Sequence, residues 1–226
     1  AMNTNSTTYN VAVGYQAGND VTTGVQNVLI GALAGDALDD GNANVALGYH
    51  ALSASVAGCS NTAVGTNAMG NGNASSTSGF NSAFGLDAGK SITSGAENTL
   101  VGAKAGDALT TGTHNTAVGY SALSTEDERG KNTAIGAYSL HILNCGDQGH
   151  NTAVGSNSGI AMTTGVQNVV MGSLTGDAIT TGSDNVAIGY NALSTEDTGG
   201  QNVAIGAQAL QNLDAGANGL NVAIGF

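Results

Sequence analysis

Apolar and polar residues alternate in a short motif that recurs along the whole chain. The clearest copy, NTAVGYSAL at 115–123, has Asn at position one, apolar or β-branched residues at positions two to four, and Gly at position five. This alternation predicts a strand of about four residues. The Gly predicts a corner that needs a positive φ or leaves no room for a Cβ atom. A second apolar stretch and a polar loop follow, so each unit is predicted to be strand, corner, strand and loop.

The copies are evenly spaced, with nine of the twelve intervals at 17 residues and the others at 20, 19 and 19. Such a unit is too short for a propeller blade, and helical repeats are longer and would not keep a Gly in every copy. We therefore predict an all-β fold, a β-solenoid of about 13 coils of 17–20 residues. Its motif Asn residues are Asn10, Asn27, Asn44, Asn61, Asn81, Asn98, Asn115, Asn132, Asn151, Asn168, Asn185, Asn202 and Asn221.

The longer intervals fall at every fourth copy and divide the chain into larger blocks. Residues 1–9 are interpreted as a lead-in, with Ala1 and Met2 resembling a cloning remnant, and residues 10–226 as a single repeat domain. Its blocks are 10–80, 81–150 and 151–220, and a further block starts at 221–226. Residues at positions three and nine also change with a period of four coils, which predicts packing patterned over four coils.

Stacked coils would bring equivalent residues into columns. The motif Asn residues are expected to form an amide ladder, as stacked Asn does in cross-β structures. The Val, Ile and similar residues at position four are expected to be buried, each contributing roughly 1.5–3 kcal/mol. The structural repeat residues are represented by Asn10, Gly14, Asn27, Gly31, Asn44, Gly48, Asn115, Gly119, Asn185 and Gly189.

Composition and charge narrow the possible partners. The chain has 36 Gly, no Pro, no Trp and a net charge of −12, with Lys and Arg totalling four. So few basic residues argue against binding to nucleic acid or to an anionic membrane surface. No apolar run approaches the roughly 18 residues of a membrane span, so no membrane insertion is expected. The small apolar residues suit thin stacked layers better than a globular core.

The sequence contains no clear pattern for a catalytic site or a metal site. The acidic stretches around Glu126 and Glu196 have no counterpart in the first block, so we interpret them as solvated loop tips and expect no enzyme. Asp39 and its neighbours lack a calcium repeat, and the four His lack metal-ligand spacing, so no metal or cofactor is expected. Cys59 and Cys145 are five coils apart, roughly 24 Å at about 4.8 Å per coil, too far for a disulfide.

Four tyrosines follow the corner Gly and are candidate surface-binding residues. Aromatic side chains on a rigid polar surface suit sugar binding, whereas packing between neighbouring chains or over the corner is the alternative. They are Tyr15, Tyr49, Tyr120 and Tyr190.

The motif N-[TV]-A-[VI]-G-x-x-A-L with its TTG loop resembles the repeats of phage tail fibres and related bacterial surface fibres. NVAIG is also similar to head repeats of trimeric autotransporter adhesins such as the Yersinia adhesin. The resemblance implies a left-handed parallel β-roll, an intertwined or side-by-side homotrimer, and an extracellular place on a virion tail fibre or bacterial cell surface. Its implied partner is a host surface receptor or carbohydrate.

Coils this thin bury little area alone, which independently favours trimerisation, although a monomer is the alternative.

An ice- or surface-binding solenoid would need a flat Thr ladder. Position two supplies Thr62, Thr99, Thr116, Thr133 and Thr152, but copies with Val interrupt them. A glycan-degrading tailspike, the third class, would need a carboxylate pair in a groove.

Overall fold

The computed structural model describes residues 9–71, 79–125, 128, 130–145, 149–214, 216 and 219–226. This part of the chain contains thirteen strands of three residues each and no helix. Accordingly, no helix there is long and apolar enough to cross a membrane. The strands are β1 Val11–Val13, β2 Val28–Ile30, β3 Val45–Leu47, β4 Thr62–Val64, β5 Ser82–Phe84, β6 Thr99–Val101, β7 Thr116–Val118, β8 Thr133–Ile135, β9 Thr152–Val154, β10 Val169–Met171, β11 Val186–Ile188, β12 Val203–Ile205 and β13 Val222–Ile224.

The coils group into two compact units that divide between His114 and Asn115. In the first unit β1 to β6 pair in parallel and in sequence order, with Val28 opposite Val45, one repeat later. In the second unit β7 to β13 pair in the same way, with Thr133 opposite Thr152. This confirms the predicted parallel β-solenoid with one coil per repeat. The single domain over 10–226 and its blocks stay a prediction.

Each strand turns its central residue inwards and its two outer residues outwards. Ala46 and Leu100, both at position three, are fully buried, whereas Val13 and Leu47 at position four are 57% and 45% exposed. The predicted burial of the position-four column is therefore wrong. In a three-residue strand only alternate side chains can face the core, and the narrow interior takes the smaller residue, usually Ala, at position three.

The second apolar stretch of each coil is not the predicted strand but a series of tight turns. Positions seven and nine adopt the left-handed conformation even where the residue is not Gly, as at Leu33 (φ 59) and Leu52 (φ 54). Left-handed residues interrupt an extended backbone. The coils still bond to each other here, because the Leu33 amide donates to the Tyr15 carbonyl at 2.8 Å and the Gly35 amide to the Ala51 carbonyl at 2.9 Å.

The four-coil pattern at positions three and nine is a packing rule. In the second coil, a Cβ on Gly35 would lie 2.8 Å from a Leu29 methyl, so a large residue at position three requires Gly at position nine. The third coil reverses the sizes, with Ala46 at position three and Leu52 at position nine, both fully buried. The second, third and fourth coils of a block therefore place one larger side chain at one of these two positions, whereas the first coil has small residues at both, as at Ala83 and Gly89.

The motif Asn residues join neighbouring coils by hydrogen bonds, and the motif Gly residues allow the corners of neighbouring coils to approach closely, as predicted. The Asn27 Oδ1 atom accepts from the Asn44 backbone amide at 2.9 Å, and Asn44 Nδ2 donates to the Gly58 carbonyl at 2.7 Å. At the corner, Gly119 has φ +139, and a Cβ there would lie 2.5 Å from the Gly136 carbonyl oxygen. Only glycine fits such a conformation and such a close approach.

Candidate surface-binding site

The outward face of each sheet is an uncharged, largely apolar stripe. Positions two and four of all thirteen strands hold only Val, Ile, Leu, Met, Phe, Thr or Ser. We call these positions the outer sheet face. Exposed members are Val11, Val13, Val45, Leu47, Phe84, Val101, Ile135, Met171, Val222 and Ile224. An exposed apolar surface of this kind on a chain of net charge −12 is typical of a contact surface.

Hydroxyl groups follow one edge of this face in part of each unit. In the second unit Thr116, Thr133 and Thr152 pair in register on consecutive strands. In the first unit the corresponding run is Thr62, Ser82 and Thr99. Because strands in register repeat at about 4.8 Å, each run presents hydroxyl groups at regular intervals.

The four candidate tyrosines all lie on the surface just beyond the corner, but their surroundings differ. Tyr15 is 71% exposed, and Tyr49, Tyr120 and Tyr190 are about half exposed. Tyr49 contacts the His50 ring edge-on, with centroids 4.5 Å apart. Tyr190 has no aromatic neighbour within the described residues. The candidate role of the four as binding residues stays a prediction.

Tyr120 belongs to a cluster of three rings, which we call the Tyr120 corner: Tyr120, Tyr138 and His141. The two tyrosines meet edge to face with centroids 5.3 Å apart and an interplanar angle of 80°. The Tyr138 and His141 rings do the same at 5.2 Å and 86°. Tyr138 is 37% exposed, so a substantial ring surface faces solvent.

The His141 ring is held by two polar contacts to the preceding coil. Its Nδ1 atom lies 2.7 Å from the Ser124 hydroxyl and 3.2 Å from the Ser121 carbonyl oxygen. Since a carbonyl can only accept, these contacts favour the tautomer with the proton on Nδ1. The hydroxyls of Ser124 and Thr125 donate to the His141 carbonyl at 3.3 and 2.8 Å, which fixes the backbone too.

Sequence reasoning missed Tyr138 and His141. The signal was their separation from Tyr120 by 18 and 21 residues, which is one repeat plus one and plus four positions. Stacking brings such residues together in space.

The acidic loop of the third block is not a simple solvated tip. Glu196 is fully buried, and its Oε1 atom accepts from the Gly199 amide at 2.6 Å, so the prediction of a solvated tip is wrong for this residue. Carboxylate oxygens of Glu196, Asp197 and Asp214 lie within 4.8 Å of one another. Glu126 and Asp127 lie outside the described residues. Glu196 occupies position twelve, where other coils place buried residues such as Leu109, and that position was the available signal.

Three aspartates, one at the same position in the second coil of each block, form a further group that was not predicted from the sequence. Asp36, Asp107 and Asp177 each have a buried Oδ1 atom without a hydrogen-bond partner. Burial raises the pKa of each carboxyl above its ordinary range. These aspartates are energetically unfavourable when ionised.

The remaining candidates from the sequence take part in local contacts. His114 lies 2.8 Å from the Glu97 carboxylate, and the His50 ring lies 3.1 Å from the Ser53 hydroxyl. Cys59, which is partly exposed, and Cys145, which is buried, are not joined in a disulfide.

Comparison with protein-family models, with curated proteins and with solved structures found no match. The resemblance to fibre and adhesin repeats therefore stays a prediction from the motif.

Proposed function

We propose that this chain is a non-enzymatic, self-associating segment of an extracellular fibre or adhesin that presents its outer corners to a host receptor or carbohydrate. Three copies associate through the outer sheet face, and the coils are left-handed, as in the fibres that the motif resembles. The observation that carries the proposal is the absence of charge from every position of the outer sheet face.

The size of the face fits a shared interface. From a strand spacing of about 4.8 Å and a rise of about 3.3 Å per residue, six strands cover roughly 300 Å². Burial of that area at about 25 cal/mol per Å² contributes roughly 7 kcal/mol per unit. Association costs about 4–15 kcal/mol, so the faces of both units are needed for a stable oligomer.

Paired charge substitutions test the self-association. Ile135→Lys with Ile188→Lys places charges on the outer sheet face, and Asn144→Lys with Asn212→Lys places the same charges at exposed positions elsewhere. Light scattering is expected to give three times 22.0 kDa for the wild type and the second pair. The first pair should fall to the mass of one chain while keeping its circular dichroism spectrum. A first pair that keeps the wild-type mass would refute the proposed interface.

Ice or surface binding is the second candidate, favoured by the Thr runs on the same face. The two functions compete, because a face covered by other copies cannot contact ice. Thermal hysteresis in a solution of the wild-type protein, lost on Thr133→Lys, would support this second candidate. A freezing point equal to the melting point would reject it.

A further inference from the structure

We propose that the Tyr120 corner binds a neutral saccharide. This inference rests on the proposed surface-presenting function and specifies the ligand that one corner takes. Tyr120, Tyr138 and His141 come from two adjacent coils of the second unit. The site therefore forms only where these two coils stack, and no single repeat contains all of it.

The two tyrosine rings suit the apolar face of a sugar ring. They are 47% and 37% exposed and nearly perpendicular, so together they present one ring face beside one ring edge. Sugar C–H groups pack against the negative face of an aromatic ring, and sugar hydroxyls can bond to the tyrosine hydroxyls. Because each ring is already packed against the other, little side-chain freedom is lost when a ligand binds.

His141 adds a fixed polar group at the side of these rings. With Nδ1–H directed to the Ser124 hydroxyl and the Ser121 carbonyl, the other ring nitrogen is an acceptor. An acceptor of fixed orientation selects for a hydroxyl group at one place on the ligand. Apolar contact combined with a few well-placed polar groups is the usual composition of a small-ligand site.

Charge decides between neutral and acidic sugars. The corner and its supporting residues Ser121, Ser124 and Thr125 include no Lys or Arg. Recognition of a carboxylate or sulfate depends strongly on such groups. The chain as a whole carries −12, which repels an anionic glycan at a distance. A neutral sugar needs no Lys or Arg partner and is not repelled by the net charge.

The third block provides a built-in comparison. Tyr190 occupies the position of Tyr120 one block later and is 53% exposed. In the following coil, however, Gln208 and Gln211 stand where the second block has Tyr138 and His141. Tyr190 is thus a single exposed ring without the cluster, and we expect it to bind no saccharide.

The test uses an array of neutral and sialylated glycans, followed by saturation-transfer NMR with lactose, N,N′-diacetylchitobiose and 3′-sialyllactose. The wild type is expected to bind at least one neutral glycan and to prefer it to a sialylated form. Tyr138→Ala should weaken binding at least tenfold, Tyr138→Phe should keep most of it, and Tyr190→Ala should leave it unchanged. His141→Ala should weaken binding while preserving the circular dichroism spectrum.

Three results would overturn the saccharide site: no neutral glycan bound, a preference for sialylated glycans, or equal loss in Tyr138→Ala and Tyr190→Ala. The mass of the same preparations separates this inference from the function on which it rests. Three-chain particles that bind no glycan would refute only the saccharide site. A single chain that binds neutral glycans through Tyr138 would refute only the self-association.

Discussion

Removal of one amide from the Asn ladder is expected to destabilise the fold by more than any single exposed polar substitution. Asn168 is fully buried, and its Oδ1 atom accepts from the Asn185 amide at 3.0 Å. Its Nδ2 atom donates to the Gly182 carbonyl at 2.9 Å and to Asn151 Oδ1 at 3.2 Å. Asn168→Ala removes all three bonds and leaves a cavity.

The magnitude follows from the groups left without partners. A buried donor or acceptor that loses its hydrogen bond costs about 1–3 kcal/mol. The Asn185 amide and the Gly182 carbonyl both lose this side chain, so we expect a loss of about 2–6 kcal/mol in the free energy of unfolding. Asn212 is exposed, so Asn212→Ala should change stability by no more than about 0.5 kcal/mol.

Urea unfolding followed by circular dichroism, at one fixed protein concentration, measures both variants. Fixed concentration matters because the stability of an oligomer depends on it. Asn168→Asp keeps an acceptor for the Asn185 amide but directs a carboxylate at two oxygens, so it should be less stable at pH 7 than at pH 4. Equal unfolding midpoints for Asn168→Ala and Asn212→Ala would refute the ladder's role in stability.

Two further perturbations test the corner and the buried aspartates. Gly119→Ala should lower the free energy of unfolding by about 2–6 kcal/mol, because its φ is disallowed for Ala and its Cβ would overlap the next coil. Gly216 has φ +63 and open space around it, so Gly216→Ala should lower the free energy of unfolding by only about 1 kcal/mol in the same urea assay. Asp177→Asn should raise stability at pH 7 and flatten its pH dependence. The raised folded-state pKa means that the folded chain binds this proton more tightly, so wild-type stability should increase as pH falls through that pKa and be greatest below the unfolded-state value near 3.9. Unchanged pH dependence in Asp177→Asn would contradict this account.

The recurrence of the motif was sufficient to predict the parallel coils. A 17-residue period fixes which residues face each other in neighbouring coils, so Asn27 had to meet Asn44 and Gly119 had to approach Gly136. The period does not say which strand residues face inwards, because a strand alternates in either sense. Assigning the larger residue, such as Leu47, to the core was wrong because the interior is narrow and accepts Ala46.

The turns and the Tyr120 corner could not be predicted from the sequence, for different reasons. Left-handed residues such as Leu52 carry no compositional signal, since Gly or Asn is the usual mark of that conformation. Glu196 was misread because a charged residue in a polar loop is usually solvated. Tyr138 and His141 become neighbours of Tyr120 only when the coils are stacked in register.

The most direct test of the central proposal, that copies of this chain cover the outer sheet face, is the oxidation rate of Met171 by hydrogen peroxide. Met171 lies on that face and is 39% exposed in the single chain, whereas Met162 is fully buried inside the coil. Peptide mass spectrometry should find Met171 in the wild type protected as well as Met162, and oxidised rapidly in the Ile135→Lys, Ile188→Lys variant. Rapid oxidation of Met171 in the wild type, with Met162 still protected, would show that the outer sheet face is open to solvent and would contradict the proposal.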